Sequence, residues 1–101
     1  MTIDKIGEAG IYTFALDGKL DTTTAGQLEA VLISAFTDES AMEVTLDFTQ
    51  LTYLSSAGLQ VLLVGQKLAN ASDAVMTITN VAEDIMEVFE MMGFCDILTI
   101  I

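Results

Sequence analysis

The sequence predicts an α/β fold: a single domain with a mixed β-sheet of about five strands and helices packed against it. Segments with the two-residue alternation of strands take turns with segments of helical periodicity. Hydrophobic residues make up 52% of the 101 residues, and no proline or linker-like tract interrupts them. We therefore expect residues 1–101 to form one domain in the order β-β-α-β-α-β-α-β.

The first two predicted strands cover residues 3–6 and 11–16 and are separated by a glycine-containing turn. The second is rich in β-branched and aromatic residues, which favour strands. Asp17 and Gly18 follow it with the composition of a turn. We therefore expect the second strand to end there.

A cluster of residues that often cap helices, at positions 21–24, precedes the first predicted helix. Thr24 and Gln27 have the spacing of a capping box. Apolar residues then recur at helical spacing, namely Leu28, Leu32, Ala35 and Phe36. The helix is expected to end by residues 37–40.

The third predicted strand covers residues 42–48, where apolar and polar residues alternate strictly. We expect a loop over residues 49–56 and then a helix from Ser56 or Ala57 to about Asn70. This helix is apolar on most sides, which predicts that it is buried or keeps one face for a partner.

The C-terminal part predicts a strand, an amphipathic helix and a last strand, with the two strands at residues 75–79 and 97–101. Asn80 has the character of an N-cap, with Glu83 at the reciprocal position. Gly93 stands where a helix commonly ends in a left-handed residue.

The charge of the chain excludes several classes of partner. Fifteen acidic residues face only three lysines and no arginine, for a net charge of -12. Nucleic acids and anionic membranes require a basic surface, so we expect neither as a partner. The N-terminus lacks the pattern of a signal peptide, and no apolar run reaches the length of a membrane span. We therefore expect a cytoplasmic protein with no membrane insertion.

Catalytic motifs are missing from the sequence. The chain has no histidine and no glycine-rich phosphate loop, and its one cysteine, Cys95, is expected to serve packing. Asp17, Asp21 and Asp47 fall at strand ends, where carboxylates suit metal or acid–base chemistry but also turns, helix caps and outward strand positions. We predict no catalytic residue, no cofactor and no metal site, and therefore no enzyme.

Two consecutive serines, Ser55 and Ser56, stand where the predicted loop becomes a helix. A serine at this point can cap the helix by accepting a hydrogen bond from a free backbone N–H. The same helix terminus stabilises anions such as a phosphoryl group. Both interpretations remain open from the residues alone.

Residues 46–63 resemble the central motif of the STAS family, which includes the bacterial anti-sigma factor antagonists. Residues 17–24 are similar to the loop that precedes the first helix of that family, and residues 91–98 to its closing helix-to-strand segment. The order of strands and helices agrees along nearly the whole chain. This sequence departs from the common motif in having Ser55 where an aspartate is frequent and Ala57 where a hydroxyl residue is frequent.

The resemblance implies an anti-sigma factor antagonist in a partner-switching system. Such a protein binds a GHKL-type kinase that is also the anti-sigma factor, and a PP2C-type phosphatase resets the switch. Alignment on Gly58 places the phosphoacceptor on Ser56, with Ser55 as the alternative. The resemblance implies a partner-binding site that comprises Asp21, Thr22, Ser55, Ser56, Gly58 and Leu59.

Two other functions remain possible at this stage. The first is a STAS accessory subunit of another complex, such as a lipid-transport ABC ATPase, that is never phosphorylated. The second is a receiver-like domain or small enzyme that uses Asp47, although the acidic pair and the lysine expected of receivers are not evident.

Overall fold

Five strands form one sheet, in which they lie in the same order as in the sequence. The computed structural model describes residues 1–101. The strands are β1 Thr2–Glu8, β2 Ile11–Leu20, β3 Glu43–Leu54, β4 Val75–Thr79 and β5 Thr99–Ile100. Strand β1 is antiparallel to β2, whereas β2 to β5 are all parallel. The predicted mixed sheet of five strands is confirmed.

Three helices connect the parallel strands, and a short 3-10 turn at Phe94–Asp96 precedes β5. The helices are α1 Ala25–Thr37, α2 Ser56–Ala71 and α3 Glu83–Met91. Each connection steps to the next strand in the same direction, and because such connections are right-handed, all three helices lie on one face of the sheet. The predicted element order is therefore also confirmed.

The core lies between this face of the sheet and the helices. The strand side chains that point towards the helices are fully buried, namely Phe14, Leu16, Val44, Leu46, Phe48, Met76 and Ile78. The intervening residues point to the other face, which no helix covers, and they are only partly buried or exposed. Hereafter this is the open face.

Because four strands are parallel, the sheet has two distinct ends. The upper end is where β2, β3 and β4 finish, and it carries residues 17–24 and 52–60. The lower end is where these strands begin, next to the β1–β2 turn and the C-terminus of α3. The two serines lie at the upper end.

Two predictions about strand ends were wrong, and β-bulges explain both. Asp17 and Gly18 do not form a turn, since β2 continues to Leu20, and residues 49–54 are not a loop, since they extend β3. The register of β2 and β3 shifts twice, and each shift places one extra residue in β3. Beyond Phe48 the buried positions of β3 are therefore three residues apart, at Leu51 and Leu54, so the alternation in the sequence is lost.

Two predicted helix caps were also wrong. Thr24 precedes α1 but makes no side-chain cap, because its hydroxyl donates to the carbonyl oxygen of Lys19 at 2.7 Å. Asn80 has a left-handed φ of 56° and lies before the cap position of α3, which is held by Ala82. The bounds of α2 and β4 agree with prediction, and Gly93 has the expected left-handed φ of 73°. The last strand is shorter than predicted.

Candidate functional site

The two adjacent serines have different surroundings. Ser55 is the N-cap of α2, and its Oγ accepts a hydrogen bond from the Gly58 N–H at 3.3 Å. Its own N–H donates to the carbonyl oxygen of Leu20 at 2.9 Å, which ties the start of α2 to the end of β2. Ser56 is the first residue of α2, and its exposed side chain makes no hydrogen bond within the protein. One serine therefore caps the helix, and the other presents a free hydroxyl to solvent.

Gly58 allows α2 to begin close to the sheet. A Cβ at this position would lie 2.7 Å from Cγ of Leu20 and 2.8 Å from Cδ1 of Leu54, closer than real Cβ contacts come. The absence of a side chain thus lets the first turn of α2 rest on the ends of β2 and β3. This contact fixes the height of Ser56 above the sheet.

Leu59 does not line the surface of this region. It is only 4% exposed and belongs to the hydrophobic core, as do Val61 and Leu62. The expectation that a partner contacts the Leu59 side chain is therefore corrected, because the apolar residues of α2 are used for packing. Gly58 is likewise buried, so its contribution is to the backbone position.

Asp21 organises the loop between β2 and α1. One carboxylate oxygen, Oδ1, accepts hydrogen bonds from the Thr23 N–H at 3.0 Å, the Thr23 hydroxyl at 2.7 Å and the Thr24 N–H at 3.2 Å. The hydrogen bond from the Thr23 side chain is the main cause of a lowered pKa, so Asp21 stays ionised at neutral pH. The other carboxylate oxygen has no donor within the protein. Asp21 is thus both a cap and a fixed negative charge.

The fold brings the predicted site residues together at the upper end. Leu20 and Leu54 are register partners in neighbouring strands, so Asp21 and Ser55, the next residues of each chain segment, lie side by side. Neighbouring strands are about 4.8 Å apart. Thr22 is exposed at the tip of the Asp21 loop. The spatial proximity that the resemblance implied for Asp21 and the serines is therefore present.

Three exposed residues of the upper end were missed by the sequence analysis. Lys19 and Tyr53 are register partners on β2 and β3, and Gln60 follows Ser56 by one helical turn. Lys19 is the one lysine at this end of the sheet. Lys19 belongs to the segment 17–24 that the family resemblance singled out, but its pairing with Tyr53 was hidden, because a turn was predicted at Asp17 and a loop after Phe48.

The hydrogen bonds of Asp47 connect parts of the fold. Its Oδ1 accepts hydrogen bonds from the Thr49 hydroxyl at 2.5 Å, the Thr49 N–H at 3.0 Å and Nδ2 of Asn80 at 3.0 Å. The Thr49 hydroxyl, followed by Asn80, lowers the pKa of this carboxyl group. These contacts connect β3 with the loop between β4 and α3. No three His, Cys, Asp or Glu side chains are grouped so that they could hold a metal ion.

Cys95 and one cavity lie outside this site. Cys95 is exposed in the 3-10 turn before β5, which corrects the prediction that it serves packing. A cavity of about 340 Å³ lies between α1 and the first two strands. Its lining residues are Ile3, Lys5, Phe14, Ala30, Val31, Ser34 and Glu39, so it does not include the serines. None of the helices has the length and apolar character needed to span a membrane.

Comparison with models of known protein families identifies the family of this chain. The family described as the STAS domain matches residues 2–101. The chain belongs to the STAS domain family. Its STAS domain is 36% identical over 97 residues to BtrV of Bordetella bronchiseptica, whose name places it among the anti-sigma factor antagonists. This alignment covers 96% of the chain and 81% of BtrV.

Two further comparisons agree with this STAS assignment. The anti-sigma-B factor antagonist of Staphylococcus epidermidis is 28% identical over 98 residues, which covers 97% of the chain and 90% of the relative. The structure of the Bacillus cell fate determinant SpoIIAA in the phosphorylated form superposes with a TM-score of 0.78 at 17% identity. That superposition covers 99% of the STAS domain described here and 91% of the SpoIIAA chain, and it supports the fold.

Proposed function

We propose that this STAS protein is an anti-sigma factor antagonist whose activity is switched by phosphorylation of Ser56. The observation that carries the proposal is the difference between the two serines. Ser56 offers an exposed hydroxyl at the first turn of α2, whereas the Ser55 oxygen is engaged as the cap of that helix. The names of the relatives support the same class of function.

The proposed partners follow from this role. A GHKL-type kinase that is itself the anti-sigma factor binds the upper end of the unphosphorylated protein, and a PP2C-type phosphatase removes the phosphate. The exposed polar side chains available to the kinase are Lys19, Thr22, Tyr53, Ser56 and Gln60. The protein acts in the cytoplasm without a cofactor or metal and catalyses no reaction of its own.

The position of Ser56 indicates how a phosphate acts. Phosphorylation adds a charge of about −1.5 to −2. The first N–H groups of α2 have no acceptor within the helix and its dipole is positive there, so the domain tolerates the added charge. Asp21 is a fixed anion in the neighbouring loop, and Lys19 is the one lysine at this end. A partner that buries this region therefore meets excess negative charge, and its binding weakens.

The test is phosphosite mapping after incubation with the cognate kinase and ATP. Ser56→Ala should abolish phosphorylation and retain kinase binding, whereas Ser56→Glu should fold normally and bind weakly. Ser55→Asn is the matched control, because asparagine is an equally good N-cap without a hydroxyl. It should leave phosphorylation intact. Phosphate found on Ser55 would contradict the assignment of the acceptor.

Asp21→Asn tests the charge in the loop separately from its cap. The amide oxygen can accept the same hydrogen bonds from Thr23 and Thr24, so the melting temperature should change little. Phosphorylation or kinase binding should be impaired, and parental behaviour in both assays would leave Asp21 with the capping role alone. Tight binding to an ATPase without any phosphorylation would instead assign the protein as an accessory subunit, for example of a lipid-transport ABC complex.

A further inference from the structure

The cavity between α1 and the first two strands has one wall made by β1. Ile3 and Lys5 line it from this strand. They pair with Leu16 and Phe14 of β2, and directly opposed residues of neighbouring strands share a face of the sheet. Ile3 and Lys5 therefore face the helix side, as the buried Leu16 and Phe14 do. Phe14 also lines the cavity and is only 2% exposed, so its side chain forms the deepest part of the lining.

Helix α1 makes the opposite wall. Ala30, Val31 and Ser34 line the cavity from this helix, and they share one side of it because residues three and four apart are neighbours on a helix. Ile3, Phe14 and these two aliphatic residues make four of the seven lining residues apolar. A mostly apolar lining with a few polar groups is typical of small-molecule sites.

Contacts at both ends of the cavity hold its two walls together. At the upper end, Nε2 of Gln27 in α1 donates to the carbonyl oxygen of Met1 at 3.0 Å. At the lower end, Lys5 forms an ion pair with Glu39, which follows the last turn of α1. Met1 and Lys5 are four residues apart on an extended chain, about 13 Å. The cavity is therefore built into the fold and needs no ligand to form.

The volume of the cavity sets the size of its ligand. Small-molecule sites commonly have volumes of about 300–1,000 Å³, and a cavity of about 150 Å³ accepts a benzene ring. A volume of about 340 Å³ therefore admits an aromatic ring with a short apolar chain, about ten non-hydrogen atoms in all. The ring of Phe14 in the lining favours an aromatic ligand, because offset and edge-to-face contacts between rings are attractive.

The charges in the lining favour a ligand without charge. Nζ of Lys5 pairs with Glu39 and lies 4.4 Å from the ring centroid of Tyr12, so the lysine is already matched. An anionic ligand would compete with Glu39, and a cationic ligand would compete with Lys5. The hydroxyl of Ser34, by contrast, makes no hydrogen bond within the protein. A hydroxyl group on the ligand can both donate to and accept from Ser34 without disturbing the ion pair.

We propose that this cavity is a binding site for an uncharged phenol or aromatic alcohol with a short apolar substituent. The ring packs between Phe14 and the aliphatic residues of the two walls, and the hydroxyl group bonds to Ser34. The inference goes beyond the Ser56 switch and does not depend on it, because no lining residue belongs to the upper-end segments 17–24 and 52–60.

The test uses para-propylphenol as the probe. Its controls are para-propylbenzoate and para-propylbenzylamine, which have a similar size and carry a negative and a positive charge at neutral pH. In a ¹⁵N NMR titration the phenol should give saturable amide shifts at the lining residues and none at residues 55–60. A ligand of this size should bind with a Kd of about 1 mM or tighter. Both charged controls should bind about tenfold more weakly, because each has to break the ion pair.

Substitutions in α1 test the lining directly. Ala30→Leu fills part of the cavity and should weaken binding of the phenol about tenfold or more. Ala71→Leu is the matched control, because it makes the same change at an exposed residue of α2 and should leave the affinity unchanged. Both alanines are exposed, so both variants should keep the wild-type melting temperature. Ser34→Ala should weaken binding about two- to tenfold through loss of the hydrogen bond.

Glu39→Gln tests the role of the ion pair. The substitution leaves Lys5 without its carboxylate partner, so the affinity for para-propylbenzoate should rise about tenfold while that for the phenol changes little. Three results would overturn the proposal. These are amide shifts that are scattered over the surface or do not saturate, equal binding of the phenol and its two charged controls by the wild-type protein, and undiminished binding of the phenol by Ala30→Leu.

Discussion

Substitution of Gly58 by alanine tests whether the close contact between α2 and the sheet is as tight as the structure indicates. The new Cβ would lie 2.7 Å from Cγ of Leu20, a fully buried side chain, so Leu20 or the helix must shift. Overpacking of this kind costs about 1–3 kcal/mol. Alanine recovers up to about 1 kcal/mol as a better helix former. If alanine recovers the full amount, the expected net loss of unfolding free energy is about 0–2 kcal/mol, whereas without the clash the substitution would be stabilising.

The control is Gly26→Ala in α1, where an added Cβ would have no atom within 4 Å. The same chemical change should stabilise the protein there by up to about 1 kcal/mol. Thermal unfolding followed by circular dichroism measures both, and each kcal/mol shifts Tm by about 4–8 °C in a domain of this size. If Gly58→Ala raised Tm as Gly26→Ala does, the reasoning about the contact with Leu20 would be refuted.

Three further predictions concern individual side chains. Ser55→Ala should lower the unfolding free energy by about 1 kcal/mol, because the cap of α2 is lost. Ser56→Ala should change the unfolding free energy by less than about 0.5 kcal/mol. Equal effects of the two substitutions in urea unfolding would contradict the distinction between the serines. Gln66 is buried and its Oε1 has no hydrogen-bond partner within the protein, while its Nε2 donates to Oδ1 of the exposed Asn70 at 3.0 Å. Since Asn70 can bond water instead, Gln66→Met should raise the unfolding free energy by about 1 kcal/mol, and a loss in the same assay would contradict this. The folded-state pKa of Asp47 is lowered from 3.8, so the stability that its charge contributes is present above that pH and is lost as the pH falls through the folded-state pKa. The difference in unfolding free energy between wild type and Asp47→Asn should therefore shrink in acid, and a constant difference from pH 7 downwards would show that ionisation is not its cause.

The element types and their order could be predicted from periodicity because most of the elements are regular. Residues 42–48 alternate strictly and form the regular half of β3. The second half could not be predicted, because two bulges shift the pairing with β2 and change the spacing of buried residues. A bulge depends on the partner strand, and a single strand's sequence does not contain that information. The pairing of Lys19 with Tyr53 lies beyond both bulges and was missed for the same reason.

The sequence named the residues of the candidate site, but it could not show the structural surroundings of each one. The motif placed Asp21, Ser55 and Ser56 together, which the neighbouring ends of β2 and β3 explain. Which serine caps α2 depends on backbone geometry around the helix start, and only the structure provides this. The resemblance placed Leu59 in the partner-binding site, and helical periodicity could not test this, because it identifies an apolar face without indicating what covers that face. The structure shows that the core covers it.

The match between strand order in the sheet and in the sequence has a consequence for how the protein is made. Every strand pairs with the strand synthesised just before it, so each pairing closes a short loop and needs no distant segment. The serines, the Asp21 loop and the glycine contact all lie within the first 71 residues, which end with α2. Ribosomes therefore complete the segments that build the switch before β4, α3 and β5 emerge. The final unit, anchored by the two residues of β5, closes the core last.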